Sequence, residues 1–481
     1  MRLDLTRRRL LAGAGALAAM GMPAGPARAA ADLAIVAREI VVNGRPARVL
    51  GLRRPDGGSG LVLEPGARFA VSLRNTLPVP SIIHWHGQTP PPDQDGVAEF
   101  GVTAIPPGGS ASYDFPARPG THWMHSHHGL QEQALLAAPL IVRTAEDARE
   151  DRQDVTVLLH DFTFRDGAEV LTGLLGGGHG AGHGTGHALP GQGGGHGAHG
   201  GHGGHAGHGA AVHLHDVEFD AYLANDRTLD DPEVVRTERG GRVRLRLINA
   251  ATATAFWIDT SGTAAQVLAV DGNPVRPVTG TRFPLANAQR LDLALDVPAG
   301  TAVPILAQRE GERARTGIIL AAPGAAVTRL APLAAAPVVA ANLSLDRRLV
   351  PVAPLAQRRA DRTLTLRLTG GNNGYDWGLD GRGWDRRASL SVRQGERVVL
   401  RMINETDMAH PMHLHGHHFQ VVGIDRQSIN GPVRDTVLVM PRGQVDIAFD
   451  ADNPGRWLLH CHNLYHMAAG MMTTLAYEGV A

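Results

Sequence analysis

Cys461 is the only cysteine in 481 residues, and it stands between His460 and His462 in the stretch "LLHCHNLYHMAAGMM". His466 follows five residues after it and Met471 ten residues after it. A thiolate with two imidazoles and a weak axial thioether forms the His₂Cys arrangement that holds copper for electron transfer. Cys461, His466 and Met471 supply three of those ligands, and His410 is the candidate for the fourth. Zinc also takes histidine and cysteine, but its closed sites favour four tetrahedral donors, for which a thioether is a poor choice. Met471 therefore selects copper.

His460 and His462 are one of four His-x-His pairs. The others are His84 and His86 in "IIHWHGQ", His125 and His127 in "THWMHSH", and His413 and His415 in "HPMHLHGHHF". Residues i and i+2 of a strand share a face, so each pair on a strand presents two imidazoles together. Eight imidazoles suffice for a cluster of two or three metal ions and are too many for one. If His460 and His462 face such a cluster, Cys461 faces the other way. Only a few covalent bonds then separate the two centres.

The elements that carry these pairs are written three times. "GARFAVSLRN" runs from Gly66 to Asn75, "GGRVRLRLIN" from Gly240 to Asn249 and "GERVVLRMIN" from Gly395 to Asn404. Repeats this far apart indicate repeated domains. Short runs of Val, Leu and Ile broken by Gly, Pro, Asn and Asp read as strands. The expectation is an all-β chain of three sandwiches, at 33–145, 152–322 and 340–479. Nine and eleven residues after Asn75 and Asn404 stand His84, His86, His413 and His415. Five and seven after Gly120 and Gly455 stand His125, His127, His460 and His462. The same offsets in the middle repeat give Ile258, Thr260, Ile305 and Ala307, so that repeat carries no ligand. In the first repeat, Ser81, Ser126, Gln131 and Leu136 occupy the offsets of His410, Cys461, His466 and Met471. The first and third repeats thus share the cluster pairs, the third alone keeps the mononuclear ligands, and the cluster belongs at their interface.

Other residues complete this reading. Asp95, in "PDQDGV", is placed to supply protons near the cluster. Asp407, just before His410, reads either as an acceptor that orients that histidine or as an ordinary loop acid. His122, His128, His160, His417 and His418 read as packing residues or as partners behind the ligands, not as ligands. The 46 basic and 46 acidic residues balance, which argues against nucleic acid as a partner and against a membrane-seeking surface. No apolar run after the N-terminus is long enough to span a bilayer. Residues 1–30 read as a twin-arginine signal peptide, with Thr6-Arg7-Arg8-Arg9-Leu10-Leu11, a mildly apolar stretch, and Ala27-Arg28-Ala29 for cleavage. The expected destination is the periplasm or the cell exterior. That compartment is oxidising, yet a lone cysteine forms no internal disulfide. Residues 176–215 are rich in glycine and histidine, a composition that cannot bury a core. Their expected role is a tether for extra copper or other metal ions.

With these residues in place, the chain resembles a three-domain bacterial multicopper oxidase of the laccase and copper-efflux-oxidase type. The resemblance covers nearly the whole mature chain and rests on "HWHG", "HSHHG", "HPMHLHGH" and "HCHNLYHMAAGM". It implies three cupredoxin-like Greek-key domains and four copper ions. His410, Cys461, His466 and Met471 would bind type 1 copper, and His84 and His413 type 2 copper. The type 3 pair would fall to His86, His125 and His462 on one ion and to His127, His415 and His460 on the other. Electrons taken singly from a donor would pass along the Cys–His route to the cluster, where O₂ is reduced to water. Asp95 matches the family's acidic proton relay. The sequence departs in having Met467 where many relatives carry an acid, and in lacking a methionine-rich segment. The implied donor is a small phenolic or similar organic reductant. The alternatives are a metallo-oxidase of Cu(I), a non-catalytic exported copper-binding protein, and a metal buffer acting through the Gly/His segment.

Overall fold

The computed structural model describes residues 31–176, 214–238, 240–371 and 374–480. The signal-peptide reading and most of the Gly/His segment lie outside the described residues.

Strand β1 (Arg68–Asn75) is the first copy of the repeated unit, and its side chains alternate between core and surface as period-2 patterning requires. It lies between Ala31–Val42 and Ser110–Pro116 in a four-stranded sheet. A second four-stranded sheet holds β2 (Ile83–His86) and β3 (Gly120–Ser126) side by side, with His84 opposite His125. Leu33, Phe69, Val71, Trp85, Met124 and Leu140 fill the space between the two sheets. Trp85 faces that core, so His84 and His86 on either side of it point out of the sandwich.

Helix α1 (Gly167–Leu175) precedes the second copy of the unit, β4 (Arg242–Asn249). β4 belongs to a six-stranded sheet, which packs on a five-stranded one containing β5 (Phe256–Asp259) and β6 (Ala302–Arg309). Here the repeat offsets land one residue out of step. Phe256, Ile258, Ile305 and Ala307 all lie in the core of this sandwich. The positions facing outward, as the histidines do elsewhere, are Trp257, Asp259, Leu306 and Gln308. Ile258 pairs with Ala307, not with Ile305.

The third copy is β7 (Arg397–Asn404). The facing sheet holds β8 (His410–Leu414) beside β9 (Arg456–Cys461), with His413 opposite His460 and Met412 opposite Cys461. Helix α2 (Leu464–Ala468) follows β9. Met412, Leu414, Leu459 and Cys461 face the core of this sandwich.

The asparagine that ends each repeated unit is buried and performs the same task three times. Its Nδ2 donates to two carbonyls across the following loop: Val79 and Ile105 for Asn75, Thr254 and Leu285 for Asn249, Met408 and Val439 for Asn404. Its Oδ1 accepts from the backbone two residues on, at Leu77, Ala251 and Thr406. This bracket fixes where the chain re-enters the opposite sheet. It therefore sets the distance from the repeat to the histidine strand in the first and third sandwiches.

Candidate metal centres

The third sandwich gathers a mononuclear set at one end of its core. β8 starts with His410, β9 ends with Cys461, and α2 carries His466. Asn463 caps α2, its Oδ1 accepting from the Tyr465 and His466 amides. The Cys461 sulfur lies 3.6 Å from His410 Nδ1 and 3.7 Å from His466 Nδ1, and the two nitrogens are 3.1 Å apart. Donors about 2.0–2.3 Å from one ion stand roughly 3–4 Å from each other. Met471 is fully buried, and its carbonyl accepts from the Cys461 amide at 3.0 Å. The outer nitrogens are engaged elsewhere. His410 Nε2 meets Thr406 Oγ1 at 2.8 Å, and His466 Nε2 meets Asp216 Oδ2 at 2.5 Å. Tyr375 also donates to that carboxylate oxygen, and Trp377 packs on the His466 ring. Burial pushes the Cys461 thiol up, so without a metal its proton stays on the sulfur and metal binding must displace it.

Between the first and third sandwiches the other eight histidines meet. His84 stacks on His415 and His86 on His413, each pair with ring centroids 3.8 Å apart. All eight are buried. Three sets bring one donor atom per residue into mutual reach: His84 with His86 and His413, His86 with His125 and His462, and His127 with His415 and His460. Inner nitrogens are left facing one another. His84 Nε2 is 3.4 Å from His413 Nε2, and His415 Nε2 is 3.1 Å from His460 Nε2. His86 Nδ1, His125 Nε2, His127 Nε2 and His462 Nε2 are buried with no hydrogen-bond partner. A buried polar atom without a partner is costly, and four among these clustered histidines fit removal of that cost by a metal. Outer nitrogens, by contrast, are held. His84 Nδ1 contacts the Asp95 carbonyl at 2.9 Å, His413 Nδ1 the Asp435 carbonyl at 2.8 Å, and His460 Nδ1 the Cys461 carbonyl at 3.0 Å. Such contacts select the ring tautomer and leave the inner nitrogen as the donor.

Burial, reinforced by neighbouring imidazoles, holds seven histidines well below their usual range: His86, His125, His127, His410, His413, His415 and His462. His460 is lowered to about 3 for the same first reason. Neutral imidazole is the form that binds metal, so protons do not compete at neutral pH. The metal-free fold bears the consequence. Below about 6.5 the unfolded chain protonates these rings and the folded chain does not, so stability present above that pH is lost as pH falls. Each ring contributes at most about 1.4 kcal/mol per pH unit below that point. The urea midpoint of metal-free protein is expected to fall sharply between pH 7.5 and 5.5. An unchanged midpoint would mean that the folded state takes up these protons.

Three buried carboxylates serve the cluster. Asp95 Oδ2 accepts from His415 Nδ1 at 2.8 Å, and its Oδ1, 3.3 Å from His84 Nδ1, has no hydrogen-bond partner. Asp435 Oδ1 contacts His86 Nε2 at 3.1 Å. Glu132 Oε2 lies 3.0 Å from His125 Nδ1 and its Oε1 3.9 Å from His462 Nδ1. Burial raises Glu132 to about 8. Although Met467 stands after His466, a buried carboxyl, Glu132, still reaches the cluster histidines.

Asp95 and eleven of the twelve predicted ligands fall at these two centres, while Met471 is buried next to Cys461 with its carbonyl accepting from the Cys461 amide. Of the two readings of Asp407, the contacts favour the loop acid. Thr406 meets His410, while Arg442 engages Asp407 at the surface with contacts of 2.7 and 2.9 Å. His122, His128, His160, His417 and His418 join none of the candidate metal groups among the described residues. Sequence reasoning missed Asp216, Asp435, Glu132 and Thr406. A search for a polar partner to each outer imidazole nitrogen would have prompted them, but no local spacing marks them. The substituted positions of the first sandwich also converge. Gln131 Oε1 accepts from Ser81 Oγ at 2.7 Å and from Ser126 Oγ at 2.9 Å, a closed polar knot where the third sandwich has its thiolate and imidazoles.

Comparison with known proteins follows the same division of the chain. Three family models, each described as multicopper oxidase, match residues 43–147, 153–314 and 358–479. Multicopper oxidase MmcO of Mycobacterium tuberculosis is 32% identical over 86% of this chain and 80% of its own length. A copper resistance protein A homolog of Pseudomonas syringae pv. tomato is 25% identical over 97% of this chain and 95% of its own. Laccase-1 of Fomitopsis schrenkii is 27% identical over 93% of this chain and 86% of its own. Among solved structures, Fet3p, a multicopper oxidase that functions in iron import, superposes with a TM-score of 0.74 at 16% identity, covering 93% of this chain and 90% of that one. The laccase from Botrytis aclada gives 0.74 at 21% identity, covering 94% and 88%.

Proposed function

This chain belongs to the multicopper oxidase family, and on that premise we propose that it oxidises a phenolic or similar organic donor one electron at a time. It is an all-β, cupredoxin-like oxidoreductase with copper as cofactor and O₂ as acceptor. The ligand assignment is part of the proposal. His410, Cys461, His466 and Met471 hold type 1 copper, and His84 and His413 hold type 2. His86, His125 and His462 hold one type 3 ion, and His127, His415 and His460 the other. The convergence of inner nitrogens, with outer nitrogens held by carbonyls, hydroxyls and carboxylates, supports four ions in a one, one and two division.

Copper supplies one-electron steps and the reduction of O₂. The chain supplies the route and the protons. Cys461 and His460 are adjacent, so the two centres are joined through the backbone as well as by the His460 Nδ1 contact to the Cys461 carbonyl. Asp95 holds a carboxylate against His415, with its other oxygen free to pass a proton. The observation that carries the donor reading is Asp216. Its carboxylate lies on His466 Nε2 with its side chain 11% exposed, so it can take the proton that a phenol releases when it loses an electron.

A second reading, oxidation of Cu(I), draws on the Gly/His segment and on the relatives named copper resistance proteins. The chain leaves the described region after α1 and returns at Leu214. Leu171 and Leu174 on one side, and Val217 on the other, pack on the core of the third sandwich. The described residues that flank the segment thus pack on the sandwich that carries the mononuclear set, and extra metal ions on the segment's imidazoles would raise the local supply. For residues 1–30, the twin-arginine reading puts the protein in the periplasm or outside the cell.

O₂ uptake by the copper-loaded protein separates these readings. A phenol is expected to drive faster uptake than Cu(I), and deleting residues 177–213 is expected to leave phenol-driven uptake intact. Uptake on Cu(I) that exceeds the phenol rate and falls on deletion would establish the metallo-oxidase instead. No uptake with either donor, at full copper content, would make the protein a binding protein.

A further inference from the structure

The middle sandwich supplies no candidate ligand, yet it grips two that the others supply. Asp435 and Thr436, at the start of the strand beside β8, hold the outer nitrogens of His86 and His413. Asp435 Oδ1 contacts His86 Nε2 at 3.1 Å, and its carbonyl contacts His413 Nδ1 at 2.8 Å. Thr436 Oγ1 lies 3.2 Å from each of the same two nitrogens. The two imidazoles are stacked, with planes 17° apart. Their orientation is therefore a property of one dipeptide.

That dipeptide is held in turn by Gln289 and Arg290 of the middle sandwich. Arg290 Nη1 donates to Asp435 Oδ1 at 2.7 Å, and Nη2 donates to Asp435 Oδ2. Gln289 Nε2 donates to the Thr436 carbonyl at 3.1 Å. Arg290 is fully buried and also reaches the first sandwich, its Nε donating to the Thr121 carbonyl in β3 at 3.2 Å. The approach is tight enough to require glycine after His86. Gly87 has φ +87°, and a Cβ there would come within 2.6 Å of Arg290 Nη2 and 2.9 Å of Asp435 Oδ2. Burial opposes the Asp435 charge, but the Arg290 guanidinium overcomes it and holds the carboxyl far below the usual range. A planar fork on a carboxylate fixes both position and angle.

We propose that Arg290 is a positioning residue for the O₂-reducing cluster. Through Asp435 and Thr436 it sets the ring orientation of His413 and His86, so the middle sandwich determines how firmly type 2 copper is held. This rests on the ligand assignment above for His86 and His413.

The test compares copper-loaded wild type with Arg290→Gln, with the pair Arg290→Gln and Asp435→Asn, and with Arg290→Lys. The pair leaves no lone buried charge. Arg290→Lys keeps the charge and loses the fork, and is the variant to read if the neutral ones do not accumulate. Partners behind a metal ligand typically change metal affinity by about ten- to a hundredfold. The expected result is loss of type 2 copper to a chelator at concentrations about ten- to a hundredfold lower, with an altered type 2 EPR hyperfine splitting. The blue type 1 absorption should be unchanged. A variant with wild-type EPR and copper retention overturns the proposal, as does parallel loss of type 1 and type 2 copper, which would mark Arg290 as a general support of the fold. If wild type itself shows no type 2 signal at full loading, the ligand assignment has failed rather than the role of Arg290.

Discussion

Cys461→Ser is expected to abolish the intense blue absorption and donor-driven oxidase turnover together, while leaving the cluster coppers bound. On the proposed assignment the thiolate would be the group whose charge transfer to copper gives that absorption, and it would begin the covalent route to His460 and His462. Serine preserves the backbone of β9, so the His413–His460 register that supports the cluster is kept. It does not preserve the site. A hydroxyl is a much harder donor than a thiolate, and it would sit in a fully buried pocket beside His410 and His466 at 3.6–3.7 Å. Copper analysis should show one ion fewer than wild type, and the type 2 EPR signal should persist. A serine variant that remained blue and active would remove Cys461 from the mononuclear centre. Loss of all copper would show instead that the two centres do not fold independently.

Asp95→Asn should slow reoxidation of the fully reduced protein by O₂ by about 10²–10⁴-fold, the usual contribution of a positioned acid or base. Reduction of the type 1 centre by the donor should be unchanged, because Asp95 lies at the far centre. Two effects act in the same direction. Asparagine cannot carry the proton, and both carboxylate oxygens face imidazole nitrogens, His415 at 2.8 Å and His84 at 3.3 Å. An amide must turn its NH₂ toward one of them. Stopped-flow mixing of reduced protein with O₂ reads this directly. Reoxidation at the wild-type rate would place the proton route elsewhere, with Glu132 the next residue to test.

The convergence of the eleven histidine and cysteine candidates was legible because their spacing is mostly covalent geometry. A strand's period of two puts His460 and His462 on one face and Cys461 on the other, whatever the sandwich does around them. The repeat units were legible for a similar reason, and the buried asparagine explains why distances counted from it hold in the first and third sandwiches. In the middle sandwich the same bracket forms, but the strand after it arrives one residue out of step. Offsets without a ligand to check them pointed to core residues there. The partners of the ligands were not legible, because they are brought in by tertiary packing. Asp435 lies 349 residues from His86, and Asp216 lies 250 residues from His466. Asp407 shows the converse. Adjacency in sequence left it as an acceptor for His410 or an ordinary loop acid, and the loop turns it toward Arg442 and offers Thr406 to His410.

The Ser81–Gln131–Ser126 knot has a consequence for how charge is stored. The cluster lies between two nearly equivalent sandwiches, and symmetry would allow it two conductors. One is present through Cys461. In the mirror position, saturated, redox-silent side chains are locked to each other by hydrogen bonds. On the proposed ligand assignment, metal held by the cluster histidines would have one such lead, through Cys461, while its mirror position would be insulated by side chains that hydrogen bonds hold in place.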